Sequence, residues 1–179
     1  MNMNIGTGYE ESAVSKLTRT LTKAHVTLLR NAETRLYSGA ITLGKSEIVT
    51  DFPTACTDGI NKYYGLDFMS KLSEIETTGV VLHEALHVTL KHMFRYQEMI
   101  AKNAQLANAA MDYVVNGIIN NLTGYGKWIK LPDCALHDKK FDGWSVHEVF
   151  DFLNKGIDKD GSQKERKEKR ESKSNESGN

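Results

Sequence analysis

Apolar residues recur at helical steps over most of the chain and fall into short β-favouring stretches over one segment. Between about residues 11 and 35, Val14, Leu17, Leu21, Ala24 and Leu28 follow one another at three- and four-residue intervals. This is the period of an amphipathic helix that covers one side of a core. From Leu36 to Tyr64 the pattern changes. Ala40 to Leu43, Glu47 to Val49 and Ile60 to Tyr64 read as β-favouring, with a turn signal at Asp58-Gly59 before the last, which predicts a small, mostly antiparallel sheet.

Ser73 followed by Glu76 fits a capping box, in which each side chain satisfies a backbone donor at a helix start. A long helix is predicted from there to Arg95. Val80, Val81, Leu82, Ala85, Leu86, Val88, Leu90, Met93 and Phe94 leave little of its circumference polar, so most of it should be buried. A further helix is predicted over about Gln105 to Asn121, with Leu106, Ala109, Ala110, Tyr113, Val114, Gly117 and Ile118 on an apolar face. Asn108, Asp112 and Asn116 line another face at four-residue spacing. After Gly124, Gly126 and a loop with Pro132, Ser145 and Glu148 form a second capping box ahead of Val149, Phe150, Phe152 and Leu153. The elements together predict an α+β fold whose sheet packs on several helices, one of them buried.

The chain has 179 residues, 40% of them hydrophobic, enough for one sizeable core and too few for two ordinary domains. The expected organisation is one domain over residues 1–154 and a charged tail over 155–179. In that tail Ile157 is the single aliphatic residue, so it cannot bury enough surface to offset chain entropy and is expected to be disordered or a solvated helix. Lys and Arg balance Asp and Glu at 23 each, so charge points neither to nucleic acid nor to an acidic membrane surface. No apolar run reaches the roughly 18 to 20 residues that span a bilayer, and Met1 to Tyr9 lack the apolar core of a signal peptide. A cytoplasmic protein is expected. The two cysteines, Cys56 and Cys134, form no Cys-x-x-Cys pair and read as reduced thiols. Cys134 near His137 leaves open a second metal pair or a plain loop turn.

The segment His83-Glu84-Ala85-Leu86-His87 interrupts the apolar helix. Residues four apart on a helix lie about 40° around and 6 Å along from each other, so both imidazoles project toward one point, where they can hold zinc. Glu84 stands at the edge of the same cleft, placed to accept a proton from water activated by the metal. Two histidines and a glutamate in such a helix would be costly to bury without partners. Zinc used in catalysis takes three protein ligands, so one must come from elsewhere. On a continuous helix His92 points roughly 140° away from His87 and could join only through a break, for which no glycine or proline is present. Glu98 lies beyond the expected helix end. Asp112 is the preferred third ligand, amid Ala109, Ala110 and Met111, where an isolated charge is costly. An exposed Asp112 paired with solvent is the plainer alternative. Asn116, one turn on, is either a group that orients a ligand or a surface asparagine. Tyr113, Tyr125 and His147 are candidates to stabilise an oxyanion, and the sequence does not choose among them. Trp128 and Trp144 read as core or lid residues.

These residues resemble the putative metallopeptidase domain of bacterial and phage proteins, often found ahead of a von Willebrand factor A-like domain. The resemblance rests on Thr54 to Gly59 with Tyr63-Tyr64, on His83-Glu84-x-x-His87 with His92 and Arg95, and on Ala109 to Asn116. It extends through Leu131-Pro132 and Ser145 to Leu153. It implies a zincin-like fold with a strand along the cleft edge that can hold an extended peptide. It also implies His83 and His87 as zinc ligands, Glu84 as the base and Asp112 at an acidic third-ligand position. No von Willebrand-like domain follows in this chain, so such a domain is expected, if anywhere, as a separate partner. The function expected is a zinc-dependent peptidase acting on a peptide or protein. The rival readings are a non-catalytic, metal-stabilised binding module and a metal-free scaffold.

Overall fold

The computed structural model describes residues 6–156. The tail expectation falls almost wholly outside them. Helix α1 covers Gly6–Arg30, starting earlier and ending earlier than the apolar spacing suggested. Helix α2 covers Ser38–Thr42, followed by β1 (Ser46–Val49), β2 (Ala55–Thr57), β3 (Lys62–Gly65) and α3 (Leu66–Met69). Then come α4 (Glu74–Thr89), α5 (His92–Arg95), α6 (Gln97–Lys102) and α7 (Ala104–Asn120). A last helix, α8, covers 146–156.

The fold is α+β, and the sheet differs from the expected one. Its order is β1-β3-β2, with β1 parallel to β3 and β2 antiparallel to β3, so it is mixed. The Ala40 to Leu43 stretch is not a strand. It lies largely in α2, where Ile41 is the one buried side chain, Ala40 packs partly against the same core and the Thr42 hydroxyl donates to the Ser38 carbonyl. Four residues with one buried side chain carry no usable period, and packing decided the outcome.

Helix α4 is the centre of the molecule. Its Ser73 cap is formed as predicted: Ser73 Oγ accepts from the Glu76 amide and Glu76 Oε2 accepts from the Ser73 amide at 2.9 Å. Val81, Leu82, Ala85 and Leu86 enter one core with Leu17, Leu21, Ala24 and Leu28 of α1, Val115 and Ile119 of α7, and Ile129 and Leu131. Ala107, Ala110 and Met111 of α7 enter a second core with Met99, Phe141, Val146, Val149 and Phe150. Helix α7 therefore joins both. Gly79 lets the chain cross α4 closely, since a Cβ there would lie 2.1 Å from the Lys130 carbonyl oxygen. The Lys130 amide donates to the Ile75 carbonyl at 3.0 Å, and this crossing sets Leu131 and Pro132 beside the centre of α4.

The long helix predicted to Arg95 stops at Thr89. Lys91 adopts φ 55°, ψ 40°, and α5 starts in a new direction at His92. A non-glycine residue in the left-handed region costs roughly 1 to 2 kcal/mol, so the expectation that a break needs glycine or proline was physically reasonable. Here the surrounding packing holds the break.

Candidate metal centre

His83 and His87 sit on successive turns of α4 and bring their Nε2 atoms to 3.0 Å. Asp112 reaches them from α7, with Oδ1 3.2 Å from His87 Nε2 and 3.6 Å from His83 Nε2. All three side chains are at most about one-fifth exposed.

The hydrogen bonds behind these atoms fix what faces inward. Asn116 Nδ2 donates to the Leu136 carbonyl at 2.8 Å, which leaves its Oδ1 to accept from His83 Nδ1 at 2.8 Å. His83 thus carries its proton on Nδ1, and its Nε2 presents a lone pair. Asn108 Nδ2 donates to Asp112 Oδ2 at 3.1 Å, which leaves Oδ1 turned to the histidines. The polar face noted along Asn108, Asp112 and Asn116 is therefore one working unit, although the spacing alone assigned Asn108 no role. His87 Nδ1 lies 3.0 Å from Nδ1 of His92. His92 does not point away, because the break at Lys91 folds it back onto His87.

Burial dominates the electrostatics. It lowers His83 and His87 to about 4, with the mutual repulsion of the pair adding to the shift at His83. Glu84, 4% exposed, is pushed up to about 8 by burial and then by the Asp112 charge, while Lys62 acts the other way. Asp112 is raised by burial, and His83 opposes that shift. Lys62 is fully buried, donating to the Leu43 carbonyl at 2.5 Å and the Ile41 carbonyl at 3.4 Å near the end of α2. A lysine on a strand gives no sequence signal of this kind.

The group opens into a cleft of about 390 Å³. One wall is Thr54 and the edge strand β2; the other is Leu131, Pro132, Ala135 and Leu136. Phe68, Val80 and Met93 add apolar surface, and Glu84 lines the cleft with His83, His87 and Asp112. Cys56 and Cys134 both line it as free thiols. Tyr113, Tyr125 and His147 do not. Tyr113 packs on Phe141, the Tyr125 hydroxyl accepts from the Leu131 amide, and His147 packs on Tyr96. Trp128 packs on the first core and Trp144 on the second. His137 lies 3.8 Å from Asp142, and among the described residues the grouping suited to a metal is His83, His87 and Asp112, without Cys134.

This grouping passes a geometric test for a divalent cation. Tetrahedral zinc with ligands at roughly 2.0 to 2.2 Å separates the ligand atoms by about 3.3 to 3.6 Å, close to the three separations found. The His83 lone pair and the Asp112 oxygen also converge on His87 Nε2, and with His87 protonated on Nδ1 no donor stands among the three, an arrangement that a cation relieves. Residues 17–179 match the sequence profile of a family described as "Putative metallopeptidase domain". The chain belongs to that family. No curated protein and no solved structure matches the chain. Membership in a metallopeptidase family implies a metal cofactor, and the domain offers it two imidazoles and a carboxylate. Among the described residues no helix of the domain is long and apolar enough to cross a membrane.

Proposed function

We propose that the protein is a zinc-dependent peptidase that hydrolyses an extended peptide lying in the cleft between α4 and β2, a small version of a zincin site. The observation that carries this reading is the convergence of His83 Nε2, His87 Nε2 and Asp112 Oδ1 at 3.0 to 3.6 Å beside the carboxylate of Glu84. Two nitrogens and one oxygen suit zinc, and three protein ligands leave a position open.

Bound zinc supplies Lewis acidity, polarising a carbonyl oxygen and making water a stronger acid. Glu84 acts as the carboxylate, the form that a cation beside it favours against the burial that raises it, and accepts a proton from water as the new carbon–oxygen bond forms. It returns that proton to the nitrogen as the carbon–nitrogen bond breaks, leaving a carboxylic acid and an amine. Asn116 and Asn108 hold His83 and Asp112 in the required orientation. Among the described residues β2 pairs with β3 on one side only, and its position on the cleft supports pairing of a substrate backbone along the other. Phe68, Val80, Leu131 and Pro132 favour apolar substrate side chains and exclude water.

Glu84→Gln removes the proton acceptor and keeps the shape. It should retain one zinc per chain and lower peptide hydrolysis by about 10²- to 10⁴-fold, measured on a mixed peptide library by mass spectrometry. Hydrolysis at the wild-type rate by this variant would end the proposal.

A further inference from the structure

His92 is buried beside the candidate centre without a part in the chemistry above. It is 1% exposed, with the His87 ring 4.8 Å away on one side and the Tyr96 ring 5.5 Å away on another. Its Nδ1 meets His87 Nδ1 at 3.0 Å, and its Nε2 is buried without a hydrogen-bond partner among the described residues.

Two imidazoles joined through one nitrogen each need one proton in the contact, given by one ring and accepted by the other. The direction follows from the far side of His87. Its Nε2 faces His83 Nε2 and Asp112 Oδ1, and a cation there requires the Nε2 lone pair, so neutral His87 must carry its proton on Nδ1. That proton is accepted by His92 Nδ1, which places the proton of His92 on the unpartnered Nε2. The opposite direction would put the His87 proton on Nε2, between the cation and its ligand.

We propose that His92 is a positioning residue for the metal: it accepts the Nδ1 proton of His87 and so holds that imidazole in the tautomer and orientation that metal binding needs. The inference rests on the metal-binding reading above. Two costs at this corner support it. The left-handed Lys91 that swings His92 onto His87 is strained for a residue with a side chain, and the buried Nε2 proton has no acceptor. An apolar residue at position 92 would remove the second cost and would also remove the acceptor. His92 thereby does for His87, from α5, what Asn116 does for His83 from α7.

The test is zinc affinity of the full chain, by competition with a chromophoric chelator, for the wild type, His92→Phe and His92→Gln, alongside melting of each metal-free protein. His92→Phe should bind zinc about 10- to 100-fold more weakly, with a metal-free melting temperature equal to or above that of the wild type. His92→Gln, whose carboxamide oxygen can accept, should recover most of the loss. In zinc-loaded wild type with ¹⁵N-labelled histidine, scalar coupling across the hydrogen bond should connect a protonated His87 Nδ1 to an unprotonated His92 Nδ1, whether or not the variants fold. Zinc affinity of His92→Phe within about twofold of the wild type, or a proton on His92 Nδ1, would overturn the inference alone. So would parallel losses of affinity and metal-free stability that glutamine does not restore. A wild type that binds no zinc would overturn both the inference and the peptidase reading.

Discussion

The two sides of α4 are built on opposite principles. Toward α1 the helix contributes Val81, Leu82, Ala85 and Leu86 to an apolar core, and its charge on that side stays at the exposed first turn, where Glu74 pairs with Lys23 at 2.9 Å. Toward the cleft it carries His83, Glu84 and His87, which face Asp112 and are backed by Asn116 and His92. The first side stabilises the fold. The second places a raised carboxyl and two depressed imidazoles in a buried setting, at an energetic cost that burial itself creates. One helix can do both because a metal ion favours the polar side only when bound, whereas the apolar side is satisfied throughout.

Substitutions that touch one side alone can break that comparison. The largest effect on stability is expected from Leu82→Ala, which empties a fully buried site. It should lower unfolding free energy by about 2 to 5 kcal/mol in urea titration, while zinc stoichiometry of the folded protein stays the same. Lost stoichiometry in a folded Leu82→Ala protein would show that the two sides are not independent.

A smaller effect is expected at the break after α4. Lys91→Gly should raise stability by up to about 1 kcal/mol, since glycine meets φ 55° without a side-chain penalty, and should leave zinc affinity unchanged. Urea titration and chelator competition on the same protein check both parts. Lower stability would mean that the Lys91 side chain holds the corner by contacts of its own.

The smallest effect is expected far from α4, in the turn between β2 and β3. Hydrogen bonds from Asn61, and then from the Ile60 amide, hold the exposed Asp58 carboxyl down to about 2. A depressed carboxyl stabilises the fold above its ordinary range, and that contribution is lost as pH falls through the folded value. The difference in urea midpoint between wild type and Asp58→Asn should therefore shrink as pH drops from about 4 to about 2. A constant difference would show that the Asp58 charge contributes nothing to the turn.

The sequence made the two ends of the argument legible for different reasons. Ser73 and Glu76 are local, and their capping box, like that of Ser145 and Glu148, forms where the residues stand. Spacing also put the imidazoles of His83 and His87 together and set Asp112 on the helix that meets them. The departures came where tertiary packing overrides local preference. Ala40 to Leu43 is too short for period to separate helix from strand, the parallel pairing of β1 with β3 skips the strand between them in sequence, and nothing in Leu90-Lys91-His92 announces a left-handed residue. That last departure matters most for the site, because it turned His92 from a residue facing away into the hydrogen-bond partner of His87.

The central claim is that the cleft side of α4 exists to hold a metal ion. It is tested most directly by metal analysis of the wild type beside His83→Ala, each purified without added metal and then titrated with zinc. The account predicts one zinc per chain for the wild type and, for His83→Ala, less than about a tenth of an equivalent with the fold retained. A wild type that holds no zinc after titration, or a His83→Ala protein that holds a full equivalent, would contradict it.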